Sequence, residues 1–177
     1  CAKRMKAVKI GYQIDADTQM GPVVSAKQQE RVLNYLKRGK EEGADFILEG
    51  GVAQVDGRSG YYVKPSLMSG KLDNVAAREE IFGPVAYLSP FSDEAQAIAM
   101  VNESDYGLAN SVWSSDLTRT QRVAEKMVAG NSWINAHNLF PHGVPYGGIN
   151  KSGMGGGVLS VETYMDYMRN LSVVRPL

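Results

Sequence analysis

The sequence has 177 residues, 44% hydrophobic and 21% charged, the composition of an ordinary globular domain long enough to bury a core. Lys plus Arg and Asp plus Glu both number 19, for a formal net charge of zero, which excludes the electrostatic footprint that nucleic acid or an anionic membrane surface attracts. The single cysteine, Cys1, excludes an internal disulfide, and a cytoplasmic protein with small-molecule or protein partners is expected.

No apolar run is long enough to cross a bilayer, and the first residues are too polar for a signal peptide. The opening CAKRMKAVKIG has no capping residue ahead of Met5 and Val8. It reads as the interior of a helix, so a fragment of a longer chain is expected. Residues 25–40 predict a helix with Val32, Tyr35, Leu36 and Gly39 on one face. Ser25 is its expected N-cap, with Gln28 three residues on in capping-box spacing, and Gly43 its expected stop. Residues 46–48 predict a short buried strand. Residues 61–67 are β-prone but interrupted by Pro65, which predicts an edge or a strand end.

Residues 85–91 predict a further strand, followed by a helix capped by Ser92 with Ala95, Ile98, Ala99 and Asn102 on one side. Residues 108–113 predict a buried strand. Asp116 is expected to cap a second helix whose apolar face holds Leu117, Ala124, Met127 and Val128, closed by Gly130. Residues 132–136 predict the next strand. Alternating strands and helices with short connections predict an α/β fold, a mostly parallel sheet flanked by helices. A glycine-rich loop, a short helix near 160–165 and an extended, β-prone tail at 167–174 complete the chain. The expected organisation is therefore a body at 1–166 and a terminal strand at 167–177, which must pair within the chain or with another subunit.

Three strings carry chemistry. In Glu79-Glu80-Ile81-Phe82-Gly83-Pro84-Val85, Gly83-Pro84 predicts a turn and Ile81 and Phe82 are expected to pack inward. A carboxylate beside an aromatic ring can take hydrogen bonds from two neighbouring hydroxyls, as a ribose presents them. The residues alone also fit a surface glutamate next to a core phenylalanine. In residues 133–148 a strand runs into a loop carrying Phe140 and Tyr146, which either wall an apolar pocket or cover the core's edge. His137 and His142 share that loop without the further ligands a metal needs, so no metal site is expected. In residues 147–157 the order of Gly, Lys and Ser matches neither a P-loop nor the dinucleotide fingerprint, and a flexible loop with unusual backbone angles is expected.

Together, and in this order, the strings resemble the aldehyde dehydrogenase superfamily. Glu79 through Val85 matches its Glu-Glu-Ile-Phe-Gly-Pro-Val string intact. Met20-Gly21-Pro22 with Gln29 and Arg31-Val32 is similar to its Gly-Pro segment and following helix, and Asp105-Tyr106-Gly107-Leu108 to its Tyr-Gly-Leu turn. Ala129-Gly130 through Trp133-Ile134-Asn135, Pro145-Tyr146-Gly147-Gly148 and Lys151-Ser152-Gly153 are similar to its remaining elements. Gly155-Gly156-Gly157 and Tyr12-Gln13 depart from the pattern.

The resemblance implies the C-terminal part of a catalytic domain with a C-terminal oligomerisation strand. It implies that Glu80 holds the nicotinamide-ribose hydroxyls of NAD or NADP and that Phe82 packs near the nicotinamide. It implies that Phe140 and Tyr146 line the entrance for the aldehyde substrate. The intact enzyme would be a homodimer or homotetramer that oxidises an aldehyde to a carboxylic acid after attack by a cysteine thiolate. Cys1 lacks the family's nucleophile context, so no catalytic residue is expected here and the fragment alone is expected to be inactive. Two other readings stay open: a non-enzymatic partner-binding module, and an acylating semialdehyde dehydrogenase.

Overall fold

The computed structural model describes residues 1–176, so Leu177, the end of the expected terminal strand, lies outside the described residues. The chain forms two compact units, residues 1–90 and 91–177.

The first unit begins with helix α1 (Ala2–Lys6), whose N-cap Cys1 makes no side-chain cap bond. Helix α2 (Ala26–Glu41) follows, and its N-cap Ser25 accepts the Gln28 backbone N–H at 3.2 Å. Val32, Tyr35, Leu36 and Gly39 are its buried residues, the face the periodicity predicts. Gly43 closes it at φ 89°, as expected of a C-terminal glycine. Only half of the capping box forms, because the Gln28 side chain reaches residues 81 and 82 instead.

Strands β1 (Asp45–Leu48), β2 (Gly51–Val52), β3 (Val63–Lys64) and β4 (Ser66–Ser69) come next. Helix α3 (Val75–Arg78) then crosses to β5 (Val85–Leu88). The main sheet has the order β1-β4-β5, antiparallel across β1 and β4 and parallel across β4 and β5. Strand β4 is central, with Ser66, Leu67 and Met68 all buried. Of the two placements expected for Pro65, an edge or a strand end, it takes the second, at the entry to a strand that is itself central. Pro65 lies between β3 and β4, and Ser66 supplies the first N–H, donated to Pro84 O at 2.9 Å, so no bond is lost to the ring. Strands β1 and β5 are the edges of this sheet. Phe46 packs partly against the core while Ile47 is exposed, so 46–48 is not a buried strand. The core joins Val32, Tyr35 and Leu36 of α2 to Met68, Val75, Ala76 and Ile81.

The second unit holds α4 (Glu94–Asn102), β6 (Tyr106–Gly107), β7 (Ala109–Val112), α5 (Leu117–Ala124), β8 (Asn131–Ile134), β9 (Ile149–Asn150) and α6 (Val161–Asp166). Strands β7 and β8 are parallel and joined through α5, the crossover the sequence predicts. Strands β6 and β9 pair antiparallel. The α/β class is as expected, but the strands are not mostly parallel: β4–β5 and β7–β8 pair parallel, while the short ladders β1–β4, β2–β3 and β6–β9 pair antiparallel.

Helix α4 is capped by Asp93, one residue beyond the expected Ser92. The Asp93 carboxylate accepts the Gln96 N–H at 2.8 Å, and the Ser92 N–H is instead taken by the Gln96 side chain. None of α4 is fully buried, and Asn102 reaches across to Lys126 O and Val128 N, both at 2.8 Å. Asp116 caps α5 as expected, accepting the Arg119 N–H at 3.0 Å. Its buried residues are Thr120 and Val123, while Leu117 and Val128 are exposed. A threonine that returns its hydroxyl to the Leu117 carbonyl at 2.8 Å can be buried, which rotates the inward face away from Leu117. The expected strand at 108–113 is only half-buried, and Trp113 at its end is exposed. Residues 168–176 form no ladder within the chain, and Tyr167, Leu171, Val173 and Val174 are exposed.

Candidate functional site

In the first unit, the Glu79–Phe82 segment is held from below by α2. Arg31 Nη2 donates to the Glu80 carbonyl at 2.9 Å and to the Tyr35 hydroxyl at 3.1 Å. Gln28 Nε2 donates to the Ile81 and Phe82 carbonyls, each at 2.9 Å. Ile81 enters the core, as expected. Phe82 does not: it sits at φ 56° with 75% of its surface exposed. A phenylalanine at positive φ is strained, and the bonds from Gln28 to its own and the preceding carbonyl hold that backbone shape. The strain turns the ring outward, which corrects the expectation that Phe82 packs inward.

The two adjacent glutamates have different surroundings. The Glu79 carboxylate accepts the Tyr35 hydroxyl. That bond, with burial adding to it, pushes the Tyr35 phenol above its ordinary pKa. The half-exposed Glu80 carboxylate takes no hydrogen bond or ion pair among the described residues. A carboxylate with open acceptor positions, on a braced segment two residues from an outward aromatic ring, fits a ligand that combines paired hydroxyls with a flat ring.

In the second unit, β8 delivers Trp133 and then turns at Asn135. That residue lies at φ 50°, and its carboxamide exchanges two 2.9 Å bonds with Ser114. The loop brings Phe140 and Tyr146 together at 4.8 Å between ring centroids, in edge-to-face contact. Trp133 joins both, at 5.8 Å from Phe140 and 6.2 Å from Tyr146, and its indole N–H donates to Leu139 O at 2.8 Å. The rings wall a cavity of about 350 Å³ that Ala136, Val144 and Pro145 also line. Tyr146 is fixed by two 3.1 Å backbone bonds exchanged with Val158. Gly157 makes this possible: it lies at φ 149°, and a Cβ there would stand 2.7 Å from the Tyr146 nitrogen. Glycines 155 and 156 also have positive φ, the unusual backbone expected of the loop.

Sequence reasoning missed Gln28, Arg31 and Trp133. Trp133 had a legible signal, an aromatic on a strand that leads directly into an aromatic loop. Gln28 and Arg31 had none, since their roles depend on carbonyls about fifty residues away. His137 is engaged by Ser111 Oγ at 2.7 Å. Among the described residues no group of three or more His, Cys, Asp or Glu side chains assembles to hold a metal, and no helix is long and apolar enough to cross a membrane.

Residues 1–173 match the model of the aldehyde dehydrogenase family. The chain is 44% identical over 155 residues to the betaine aldehyde dehydrogenase of Brucella ovis, covering 86% of this chain and 32% of that protein. The betaine aldehyde dehydrogenase of Staphylococcus aureus, solved in complex with NAD+, superposes with a TM-score of 0.83 at 35% identity, over 92% of this chain and 33% of that one. A single-substitution variant of the Bacillus cereus aldehyde dehydrogenase gives 0.83 at 41% identity over the same shares. The chain thus spans about a third of the length of these relatives. Motif order, fold and identity agree, and the chain belongs to the aldehyde dehydrogenase family.

Proposed function

We propose that the chain supplies cofactor-side and substrate-side surfaces of an NAD(P)-dependent aldehyde dehydrogenase that converts an aldehyde to a carboxylic acid. The observation that carries this reading is the braced segment with Glu80 open to accept and Phe82 turned outward. When bound, NAD(P) supplies the hydride acceptor. Glu80 accepts hydrogen bonds from the two ribose hydroxyls, and Phe82 offers its ring as a wall beside the cofactor. Phe140 and Tyr146 wall the aldehyde's path and exclude water from it. No residue of this chain takes the nucleophile's role: Cys1 is exposed and belongs to neither surface.

The apolar cavity accepts an uncharged aldehyde. Its aromatic faces also suit the quaternary ammonium of betaine aldehyde, the substrate named for the relatives. The exposed segment from Tyr167 supports an oligomerisation strand at 167–177 and a homodimer or homotetramer. A cytoplasmic setting agrees with the single free cysteine.

The test is Glu80→Gln in the enzyme that carries this chain, with NAD(P) varied. The amide keeps the size but loses the charge-assisted acceptance, and the expected loss is about 1.5–3 kcal/mol in kcat/KM. Unchanged constants would reduce Glu80 to a surface residue. The 177-residue chain alone is expected to form no NAD(P)H from acetaldehyde or betaine aldehyde. Turnover abolished by Cys1→Ser would overturn that assignment.

A further inference from the structure

Trp133 is the hub of the second unit's aromatic cavity, touching Phe140, Tyr146 and His137. Its indole plane decides the shape of the wall, because it lies within 28° of parallel to Tyr146 and nearly perpendicular to Phe140. The indole nitrogen is tied to Leu139 O, but one bond at one atom leaves the ring free to swing about it.

The second restraint comes from His137. Its ring meets the Trp133 ring edge-on at 5.1 Å and 72°. The imidazole is itself fixed, with Nδ1 2.7 Å from Ser111 Oγ. Ser111 and Trp133 are register partners on the parallel strands β7 and β8, so their side chains leave the sheet on one face. His137 arrives from the loop beyond β8, bonds to the serine beside the tryptophan, and so presses its ring against the indole. His137 is not among the residues that line the cavity, so it does not touch what the cavity holds.

We propose that His137, anchored by Ser111, is a positioning residue that sets the plane of Trp133 and thereby which flat or bulky groups the cavity accepts. The inference rests on the reading of this cavity as the aldehyde's path. It adds a determinant of selectivity that lies behind the lining residues.

The test uses the full chain carrying Trp113→Phe, which leaves Trp133 as the sole tryptophan. Near-ultraviolet circular dichroism and fluorescence report the Trp133 environment, and benzyl alcohol serves as a neutral ring-bearing probe in a quenching titration. His137→Ala and Ser111→Ala should each change the Trp133 dichroism band and weaken benzyl alcohol binding, by roughly two- to tenfold for a lost ring–ring contact. His137→Phe should recover part of the band by restoring a ring edge, which a general loss of folding would not show. Ser111→Ala removes a single hydroxyl and keeps the test valid if the histidine variant folds poorly.

If the band and the affinity are unchanged in both alanine variants, the positioning role is wrong. Failure of the cavity reading looks different. Benzyl alcohol would then fail to bind, or would bind equally well to Phe140→Leu and Tyr146→Leu, while the dichroism still decides the role of His137.

Discussion

The side-chain amide of Gln28 spans two successive carbonyls, donating to Ile81 O and Phe82 O at 2.9 Å each. One residue near the start of α2 thereby holds the backbone that places Phe82 at positive φ and keeps Ile81 in the core. Gln28→Leu should cost about 1–3 kcal/mol, the sum of two ordinary hydrogen bonds. Urea denaturation of the chain would measure it. Gln28→Glu should be worse, since it sets a carboxylate against two carbonyls. Equal stability of all three proteins would mean that the loop holds its shape unaided.

Gly130 closes on the loop after β8 so tightly that an added Cβ would stand 1.7 Å from the Gly147 carbonyl oxygen. Both partners are backbone, so neither can swing away. Gly130→Ala should destabilise the second unit by about 3 kcal/mol, the upper end of ordinary overpacking. Thermal unfolding followed by tryptophan fluorescence would read it, since Trp113 and Trp133 both lie in this unit. A wild-type melting temperature would show that the two backbones separate at little cost.

Acid should loosen α4. The Gln96 N–H bonded to Asp93, then the Ser92 hydroxyl, hold the Asp93 carboxyl below the ordinary aspartate pKa. The Arg122 guanidinium does the same for Glu94, through a bidentate pair at 2.8 and 2.6 Å. A depressed folded-state pKa contributes stability that is present above the unfolded value and lost as pH falls through the folded one. Stability should therefore fall from just above the ordinary carboxylate range downward. Asp93→Asn keeps a capping oxygen but cannot titrate, so it should flatten part of that decline. Because these carboxylates face solvent, the effect should be small and should shrink with added salt. Melting curves across the acid range check the sign, and a steeper decline in Asp93→Asn would contradict it.

The tail from Tyr167 exposes Leu171, Val173 and Val174. Removing everything after Met165 from the enzyme that carries this chain should reduce the assembly's mass in light scattering and leave far-ultraviolet circular dichroism of the body nearly unchanged. Full mass in the truncated protein would exclude the tail as the joining strand.

The sequence by itself determined what depends on neighbours along the chain. Ser25, Asp116 and Gly43 were legible as helix boundaries because capping acts within one turn. The buried face of α2 was legible because its apolar residues repeat with the helix. The α5 crossover between β7 and β8 and the family resemblance were read from ordered local strings.

Tertiary structure decided what depends on residues far away. Pro65 predicted an edge or a strand end and marks a strand end, yet that β4 beyond it is central follows only from Pro84 and β5 coming to lie beside Ser66. Phe82 looked like core, yet Gln28 and the positive φ turn it outward. The residues alone did not separate the two adjacent glutamates and only the resemblance singled out Glu80; the fold adds that Tyr35 engages Glu79 and not Glu80. Trp133 became the hub of the cavity only once the loop to Tyr146 folded back over β8. In each case a hydrogen bond or ring contact selects between two locally acceptable conformations, and its partner is fixed by the fold rather than by spacing along the chain.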